Sequence, residues 1–377
     1  MQSVVIAGYA RSPFHLAGKG ALARVRPDDM AAQVVRALVG RTGVDPALLE
    51  DLVVGCAFPE GEQGLNVARL IGLLADLPIS VGGMTVNRFC GSSMSAIHYA
   101  MGQIAIGSGE AFVCAGVESM SRVPMMGFNP LPNPALAAKS KVYMSMGETA
   151  ENVASTFSIP REAQEALALE SQKRAAAARE AGRFADEIVP IETKGGLVDQ
   201  DGTIRPETTA EALAGLKPAF DANGSVTAGT SSPLTDGAAA VLVTSEDFAR
   251  THGLPIMARI KSASISGCAP ETMGLGPILS SRKAMERAGI TAADLDVVEL
   301  NEAFASQAIA CIDELGLDRA KTNIDGGAIA IGHPLGATGA RIVGKAAALL
   351  QREGGKYALA TQCIGGGQGI ATVLEAV

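Results

Sequence analysis

The sequence is poor in aromatic residues: tryptophan is absent, and Phe, Trp and Tyr together make up 4% of its 377 residues. Glycine is abundant at 44 residues, and 47% of the chain is hydrophobic. This composition is typical of tightly packed α/β layers and excludes a disordered chain. The length is too great for one ordinary core, so we expect two or three domains.

Long apolar runs and a targeting leader are also missing. No run approaches the roughly 20 apolar residues that a membrane helix needs. Met1 is followed almost at once by the strand-like residues 4–7, without a charged leader or a secretory apolar segment. We therefore expect a cytoplasmic protein with no membrane span. The net charge of −8 argues against a nucleic-acid partner.

The six cysteines lack the spacing of metal or redox motifs. No two lie within four residues of each other, so no C-x-x-C pair exists. We expect free thiols in a reducing compartment and no metal. The glycine-rich segment 365–369 lacks the order of a dinucleotide loop, and the chain has no Walker A lysine. No permanently bound cofactor is expected.

Strand-like and helix-like segments alternate over most of the chain, which predicts a layered α/β core with a largely parallel sheet. Residues 119–235 interrupt this alternation with turn-rich, polar sequence, and insertions of this kind usually carry binding function. We therefore predict a first half at 1–118, completed by 236–256. An inserted loop domain would occupy 119–235, and a second half 257–377.

The two halves echo each other. In the first, a strand leads into a turn at Cys90, a helix and an apolar strand that ends near Gly116. In the second, a short segment leads into a turn at His333, a helix and an apolar strand that ends at Cys363. One fold used twice about a pseudo-dyad would bring Cys90 and His333 together.

Four residues at strand ends or turns have side chains suited to covalent catalysis. Cys90 stands at a strand-to-helix turn, where N–H groups and the helix end are expected to lower the thiol pKa. The alternative is a buried packing cysteine. Only His333 among the four histidines is framed by glycines and a proline, and a Cys–His pair is a common nucleophile. Cys363 precedes a glycine-rich turn, and Asn301 follows an apolar strand.

Six motifs of this chain resemble those of the thiolases, the acyl-CoA:acetyl-CoA acyltransferases, which include 3-ketoacyl-CoA thiolases and acetyl-CoA acetyltransferases. The motifs are Val86–Ser93, Gly116–Ser121, Met146–Asn152, Asn301–Phe304, Gly326–Gly339 and Cys363–Gly369. The resemblance covers essentially the whole chain. It implies a duplicated five-layer α/β/α/β/α fold with an inserted loop domain, assembled as dimers or tetramers.

The resemblance also implies residue roles. Cys90 would be the acylated nucleophile, His333 would take its proton, and Cys363 would move a proton on and off the acetyl α-carbon. A first oxyanion hole would use His333 and a water held by Asn301, and a second would use the N–H groups of Cys90 and Gly365.

By the same resemblance, coenzyme A would be a substrate that lies across the loop domain, with Arg205 and Ser232 as contacts. Met273 and Phe304 would wall the acyl pocket, although ordinary core packing explains both equally well. A partner subunit of a fatty-acid oxidation complex is also implied as an option.

The sequence leaves the branch of the family open. The segments around Cys90, Arg205 and Ser232 look more like the degradative 3-ketoacyl-CoA thiolases. Ser145 stands where many short-chain biosynthetic acetoacetyl-CoA thiolases carry a histidine. The segments 326–339 and 363–367 resemble both branches. A decarboxylating ketoacyl synthase is disfavoured by Cys363, and a non-catalytic lipid-binding subunit is disfavoured because Cys90, His333, Asn301 and Cys363 are all present.

Overall fold

The computed structural model describes residues 2–377. The strands are β1 (Val4–Arg11), β2 (His15–Leu16), β3 (Asp51–Gly55), β4 (Gly82–Val86), β5 (Ala111–Ser119), β6 (Ile191–Thr193), β7 (Gly196–Val198), β8 (Thr235–Ser245), β9 (Ala258–Gly267), β10 (Val297–Leu300), β11 (Tyr357–Ile364) and β12 (Gln368–Glu375). The helices are α1 (Pro27–Thr42), α2 (Val67–Leu74), α3 (Ser92–Ala105), α4 (Pro134–Lys139), α5 (Met146–Thr156), α6 (Arg161–Glu180), α7 (Ala210–Ala214), α8 (Glu246–Thr251), α9 (Gly276–Ala288), α10 (Ala305–Leu315), α11 (Ala328–Ile331) and α12 (Leu335–Glu353).

The longer helices begin and end at residues whose chemistry explains the boundary. Helix α1 has Pro27 in its first turn together with acidic residues, and it ends at Gly43 in the left-handed conformation. Helix α5 starts with a capping box, in which the Ser145 and Glu148 side chains each bond the other's backbone N–H. The boundaries of both helices therefore follow from residues close to them in the sequence.

Ten of the strands form one continuous sheet in the order β10-β11-β12-β9-β1-β8-β5-β3-β4, with β2 attached to β8, and β6 and β7 pair as a separate two-stranded sheet. The path divides where β1 and β9 pair over only two residues. On the first side lie β1, β3, β4, β5 and β8, and on the other lie β9 to β12. Strand β8 follows the inserted region and returns the chain to the first sheet.

The helices and the two sheets stack in five layers, with a hydrophobic core on the outer face of each sheet and a third core between the sheets. Helices α1 and α2 cover the outer face of the first sheet. Helices α3 and α12 fill the space between the sheets, where Ile97 and Ile342 share one core. Helices α9 and α10 cover the outer face of the second sheet. The duplicated α/β/α/β/α arrangement expected from the sequence is confirmed.

The expectation of a largely parallel sheet is wrong. Strand pairs β3–β4, β3–β5 and β10–β11 are parallel. The other pairs in the large sheet are antiparallel, including β5–β8, β8–β1 and β9–β12. The cause in the second half is a tight turn at 365–367, which reverses β11 directly into β12 instead of adding a crossover helix.

The inserted region packs against the second half and is anchored by a buried ionic network. Helices α5 and α6 contact α10. The fully buried Arg11 guanidinium pairs with Glu187 at 2.8 Å and with Asp201 at 2.7 Å. Lys345 of α12 pairs with Glu187 at 3.0 Å and with Asp325 at 2.8 Å. These ion pairs join the first half, the inserted region and the second half.

Replacing Arg11 with methionine is expected to lower the free energy of unfolding by about 3–5 kcal/mol, because the buried Asp201 loses its cation and Glu187 keeps only Lys345. Denaturant titration measures the loss. Arg36→Met is the matched control, since Arg36 pairs with Asp76 at the surface, where the two side chains are 50% and 81% exposed. That change should cost under about 1 kcal/mol. Equal losses for the two variants would contradict an anchoring role for Arg11.

Candidate active site

Cys90 lies on a strained turn between β4 and α3. Phe89, directly before it, has a φ of 42°, which is unfavourable for a residue with a side chain. The side-chain Oδ1 of Asn87 accepts the Phe89 N–H at 2.8 Å, and the Ser92 hydroxyl accepts the Arg88 N–H at 2.9 Å. These bonds hold the turn open, so that the cysteine stands just outside the first turn of the helix.

The glycine turn after β11 meets this cysteine. The Gly365 N–H is directed at the Cys90 sulfur, as is the N–H of Cys90 itself. From the other side, the Gln362 amide donates to the Cys90 carbonyl oxygen. The strand end that carries Cys363 is therefore joined directly to the nucleophile turn.

Burial raises the pKa of the Cys90 thiol to about 11, and the nearby Glu118 carboxylate adds to the rise. The two N–H groups lower the pKa only in part. The expectation that the helix end would lower this pKa is wrong, because removal from water outweighs the turn's dipoles. Cys90 is therefore a neutral thiol at rest and needs a base to become a nucleophile.

His333 is held as a neutral imidazole. Burial, reinforced by the charge of Arg341, lowers its pKa to about 3. Its Nδ1 lies 2.6 Å from the Thr338 hydroxyl, and that hydroxyl lies 3.0 Å from the Pro334 carbonyl oxygen. With the hydroxyl proton donated to Pro334, Nδ1 carries the ring proton and Nε2 keeps its lone pair. Nε2 is then the atom that can accept a proton.

Asn301 faces the same Nε2 atom, with its side-chain nitrogen 3.4 Å away. Its side-chain oxygen is buried and has no hydrogen-bond partner within residues 2–377. A buried amide oxygen of this kind is suited to hold a polar group of a ligand or a water. The placement fits the oxyanion role that the resemblance implies for Asn301.

The turns of the two halves meet as the internal echo predicts. Leu335, two residues after His333, packs in the same small cluster as Cys90. The Ser93 hydroxyl accepts the Ala340 N–H at 2.8 Å and so ties the start of α3 to α12. Gly339 has no room for a side chain, because a Cβ there would clash with the Met94 backbone nitrogen. These contacts bring the beginnings of the two central helices together.

Cys363 is fully buried at the end of β11, within an apolar cluster that also contains Met273 and Phe304. Burial raises the pKa of its thiol well above the ordinary value, and the neighbouring Cys90 contributes to the rise. Cys363 is therefore a protonated thiol close to the nucleophile. Met273 and Phe304 lie beside it, where they can wall an acyl group as well as pack the core.

The two residues expected to contact coenzyme A lie in different surroundings. Arg205 is exposed in the inserted region, where its backbone N–H bonds the Gln172 side chain at 2.7 Å. Ser232 is half-buried, and its N–H donates to the Ala303 carbonyl oxygen at 3.0 Å. Ser232 therefore borders the segment that carries Asn301, whereas no contact joins Arg205 to the catalytic residues within the described chain.

Sequence reasoning missed the residues that hold the catalytic groups. Thr235 accepts the His333 N–H at 3.1 Å, and Thr338 bonds the imidazole. Gln362 and Glu118 likewise contact the catalytic segments without a predicted role. Thr338 could have been found from its place in the first turn after His333, and Glu118 as the one acid in an otherwise apolar strand.

The rate of Cys90 alkylation by iodoacetamide is expected to rise with pH toward the thiol pKa of about 11, with no plateau between about pH 5 and 8. Burial favours the protonated form, so the thiolate appears only as the pH rises. Peptide mapping separates Cys90 from the half-buried Cys268. Fast, pH-independent alkylation at neutral pH would instead indicate a resting thiolate–imidazolium pair.

The fold and this site together define a protein of two duplicated α/β halves, with Cys90, His333 and Cys363 buried at the junction between them. Models of the thiolase N-terminal domain and of the thiolase C-terminal domain match residues 4–247 and 254–376 respectively. The chain belongs to the thiolase family.

Full-length relatives agree with this assignment. The chain is 46% identical to a 3-ketoacyl-CoA thiolase of Bacillus subtilis strain 168 and 48% identical to one of Shewanella denitrificans, over all of this chain and all of each relative. The structure also matches the human mitochondrial 3-ketoacyl-CoA thiolase solved in complex with CoA, with a TM-score of 0.93 and 37% identity. That match covers all of this chain and 98% of the human one.

No group of three or more His, Cys, Asp or Glu side chains in residues 2–377 is arranged to bind a metal ion. In the same range, no helix is long and apolar enough to cross a membrane.

Proposed function

We propose that this protein is a thiolase that cleaves 3-ketoacyl-CoA with coenzyme A, giving acetyl-CoA and an acyl-CoA shortened by two carbons, and that it catalyses the reverse condensation. The observation that carries the proposal is the hydrogen bond from the Gln362 side chain to the Cys90 carbonyl oxygen, which joins the end of β11 to the Cys90 turn. It places the Cys90 thiol beside the Gly365 N–H and the Cys363 thiol. In this arrangement the Cys90 sulfur is the nucleophile, the Gly365 N–H stabilises the oxyanion and the Cys363 thiol donates the proton to the substrate.

In the first step, the Cys90 sulfur attacks the C3 carbonyl carbon while His333 Nε2 takes the thiol proton. The N–H groups of Cys90 and Gly365 stabilise the oxygen that becomes negative. The C2–C3 bond then breaks, which leaves an acyl-cysteine and the enolate of acetyl-CoA. Asn301, through a water, and the newly protonated His333 stabilise the enolate oxygen, and Cys363 supplies the proton to C2.

In the second step, the thiol of free coenzyme A attacks the acyl-cysteine carbonyl carbon. Cys363 first accepts the proton of that thiol, which restores its own acid form. The carbon–sulfur bond to Cys90 then breaks, and the proton on His333 returns to the departing sulfur. Every step uses side chains and backbone groups of this chain, with coenzyme A as a substrate.

The inserted region 119–235 is the proposed coenzyme A-binding unit, which sits between the first half at 1–118 with 236–256 and the second half at 257–377. Ser232 supports this proposal because its backbone N–H donates to the carbonyl oxygen of Ala303, two residues after Asn301 in the sequence. Arg205 is exposed, so its guanidinium is available to a phosphate group. Arg205→Ala should therefore raise KM for CoA more than it lowers kcat, and an unchanged KM would remove Arg205 from the proposed site.

Chain-length preference is proposed to be that of a degradative thiolase. The relatives named above are 3-ketoacyl-CoA thiolases, and Ser145 caps α5 where biosynthetic members often carry a histidine. The test is kcat/KM for thiolysis from acetoacetyl-CoA to a long-chain 3-ketoacyl-CoA. A value that rises with chain length supports the proposal. Turnover of acetoacetyl-CoA alone would favour the short-chain biosynthetic alternative, and no acylation of Cys90 by any substrate would favour a non-catalytic lipid-binding subunit.

A second copy of the chain is the proposed partner of strand β4. This strand is the last in the path, so its outer edge is unpaired within the described residues. The neighbouring apolar side chains Leu65 and Ile79 are 89% and 83% exposed. Light scattering should give two or four times the 38.4 kDa of one chain, and a monomer would contradict the proposal. A fatty-acid oxidation subunit as a further partner, and placement in the cytoplasm, stay predictions.

A further inference from the structure

Glu118 is a buried carboxylate that the proposed steps do not use. It lies near the end of β5 and is 1% exposed. Its oxygens accept the N–H groups of Ala57 at 2.8 Å, Phe58 at 3.3 Å and Gly336 at 2.9 Å, and the Gln63 amide at 2.8 Å. No Lys or Arg forms an ion pair with it within residues 2–377. Burial raises the pKa of the Glu118 carboxyl group, and these hydrogen bonds oppose the rise. Since its partners are all donors, a carboxylate suits the site better than an amide would.

These hydrogen bonds join two segments far apart in sequence. Ala57 and Phe58 follow β3 of the first half, whereas Gly336 lies in the first turn of α12, three residues after His333. The contact is close: a Cβ on Gly336 would lie 2.5 Å from the Val117 carbonyl oxygen and 2.7 Å from that of Gly55. One carboxylate therefore fastens the beginning of α12 to the first sheet.

We propose that Glu118 is a positioning residue, which holds the start of α12 so that the His333 imidazole stays within proton-transfer reach of Cys90. The proposal rests on the proposed thiolase function and adds to it the group that sets the geometry of the base. Glu118 touches neither substrate nor reacting atoms. It acts through Gly336, and the short segment 333–336 transmits its position to the imidazole.

The charge of Glu118 argues that geometry is its role. Its negative charge adds to burial in raising the pKa of Cys90, which by itself makes the nucleophile harder to ionise. The effect of its charge on the thiol therefore opposes ionisation of Cys90. The contribution that favours catalysis is the position that the carboxylate gives to His333.

The test is Glu118→Gln, which keeps the shape but turns an NH₂ group toward backbone donors and so breaks part of the cradle. Single-turnover acylation of Cys90 by acetyl-CoA, followed by intact mass, should slow by about 100-fold, the scale expected for a base misplaced by 1 Å. The KM for acetyl-CoA should change by less than threefold. If the Glu118→Gln variant does not fold, the same acylation measurement is made on Glu118→Asp, whose shorter side chain cannot reach both Ala57 and Gly336.

A double-mutant cycle separates positioning from a general effect on the fold. In a His333→Ala background, Glu118→Gln should cause no further loss of rate, and removing its charge from beside Cys90 should raise the rate slightly. A repeated loss of about 100-fold in that background would overturn the proposal, because Glu118 would then act independently of His333. Glu187→Gln is the control for burial, since Glu187 contacts Arg11 and Lys345 instead of the catalytic segments. It should lower the melting temperature and leave the acylation rate within twofold.

The crystal structure of the Glu118→Gln variant keeps this proposal distinct from the proposed function, because the position of the His333 imidazole is observed without any acyl-CoA. If acetyl-CoA does not acylate the wild-type protein but the imidazole is displaced by about 1 Å in the variant, the thiolase function fails and the positioning role stands. If acylation of the wild-type protein is normal and the imidazole does not move in the variant, the function stands and the positioning role fails.

Discussion

Cys90→Ala is expected to abolish thiolysis, with a loss on the order of 10⁴-fold or more, as for removal of other covalent nucleophiles. The proposed reaction passes through an acyl-cysteine, and no other thiol occupies the turn where the Gly365 N–H is directed at the sulfur. Thiolysis is followed by the loss of 3-ketoacyl-CoA absorbance. The acyl-enzyme is followed by intact mass.

The fold should survive this change, because alanine removes one sulfur from a side chain that is already small. Denaturant titration should show a loss of less than about 2 kcal/mol. Cys114→Ala is the matched control: Cys114 is also buried, but it lies in the middle of β5 and contacts the Ala96 carbonyl oxygen. Its activity should stay near wild type. Near-wild-type turnover by Cys90→Ala would remove the acyl-cysteine from the mechanism.

Cys363→Ala is expected to slow carbon–carbon cleavage by about 10²–10⁴-fold, the usual contribution of a positioned acid or base. Acylation of Cys90 by a simple acyl-CoA breaks a carbon–sulfur bond and needs no proton on carbon. The amount of acyl-enzyme formed in that half-reaction should therefore change much less than the rate of cleavage. Rapid quench followed by intact mass measures both in the same protein.

The comparison within one variant is the decisive measurement for Cys363. The thiolate that leaves in acylation is a much weaker base than the C2 carbanion, so loss of the Cys363 proton should slow cleavage far more than acylation. Equal losses in the two reactions would contradict the role of Cys363 at C2. Cys311→Ala is a suitable control, since Cys311 is buried near the same region but bonds the Gly274 carbonyl oxygen. It should leave the ratio of the two rates unchanged.

Local sequence was sufficient for most of the elements and for their duplication. Pro27 with the following acids marks the start of α1. The motifs around Cys90 and His333 also predicted that the two turns would meet. These features depend on residues close together in the chain, or on a repeated order of elements.

Properties set by distant groups were not accessible in the same way. The raised pKa of Cys90 follows from its burial in the folded chain and from the charge of Glu118, which is not its neighbour in sequence. The direction of β8 and β12 depends on how the chain returns to each sheet, so period-two patterning could not distinguish parallel from antiparallel pairing. The links from Glu118 to Gly336 and from Thr235 to His333 likewise join residues roughly one hundred or more positions apart.

Helix α12 belongs to the second half by sequence, yet it covers the inner face of the first sheet, where Val53 and Val241 share its core. During translation, the ribosome makes β3, α3 and β5 long before residues 335–353 emerge. The nascent first half therefore lacks part of its native core and exposes that apolar face until late in synthesis. His333 arrives with the same segment. Cys90 and its proposed base therefore come together only when almost the whole chain is present.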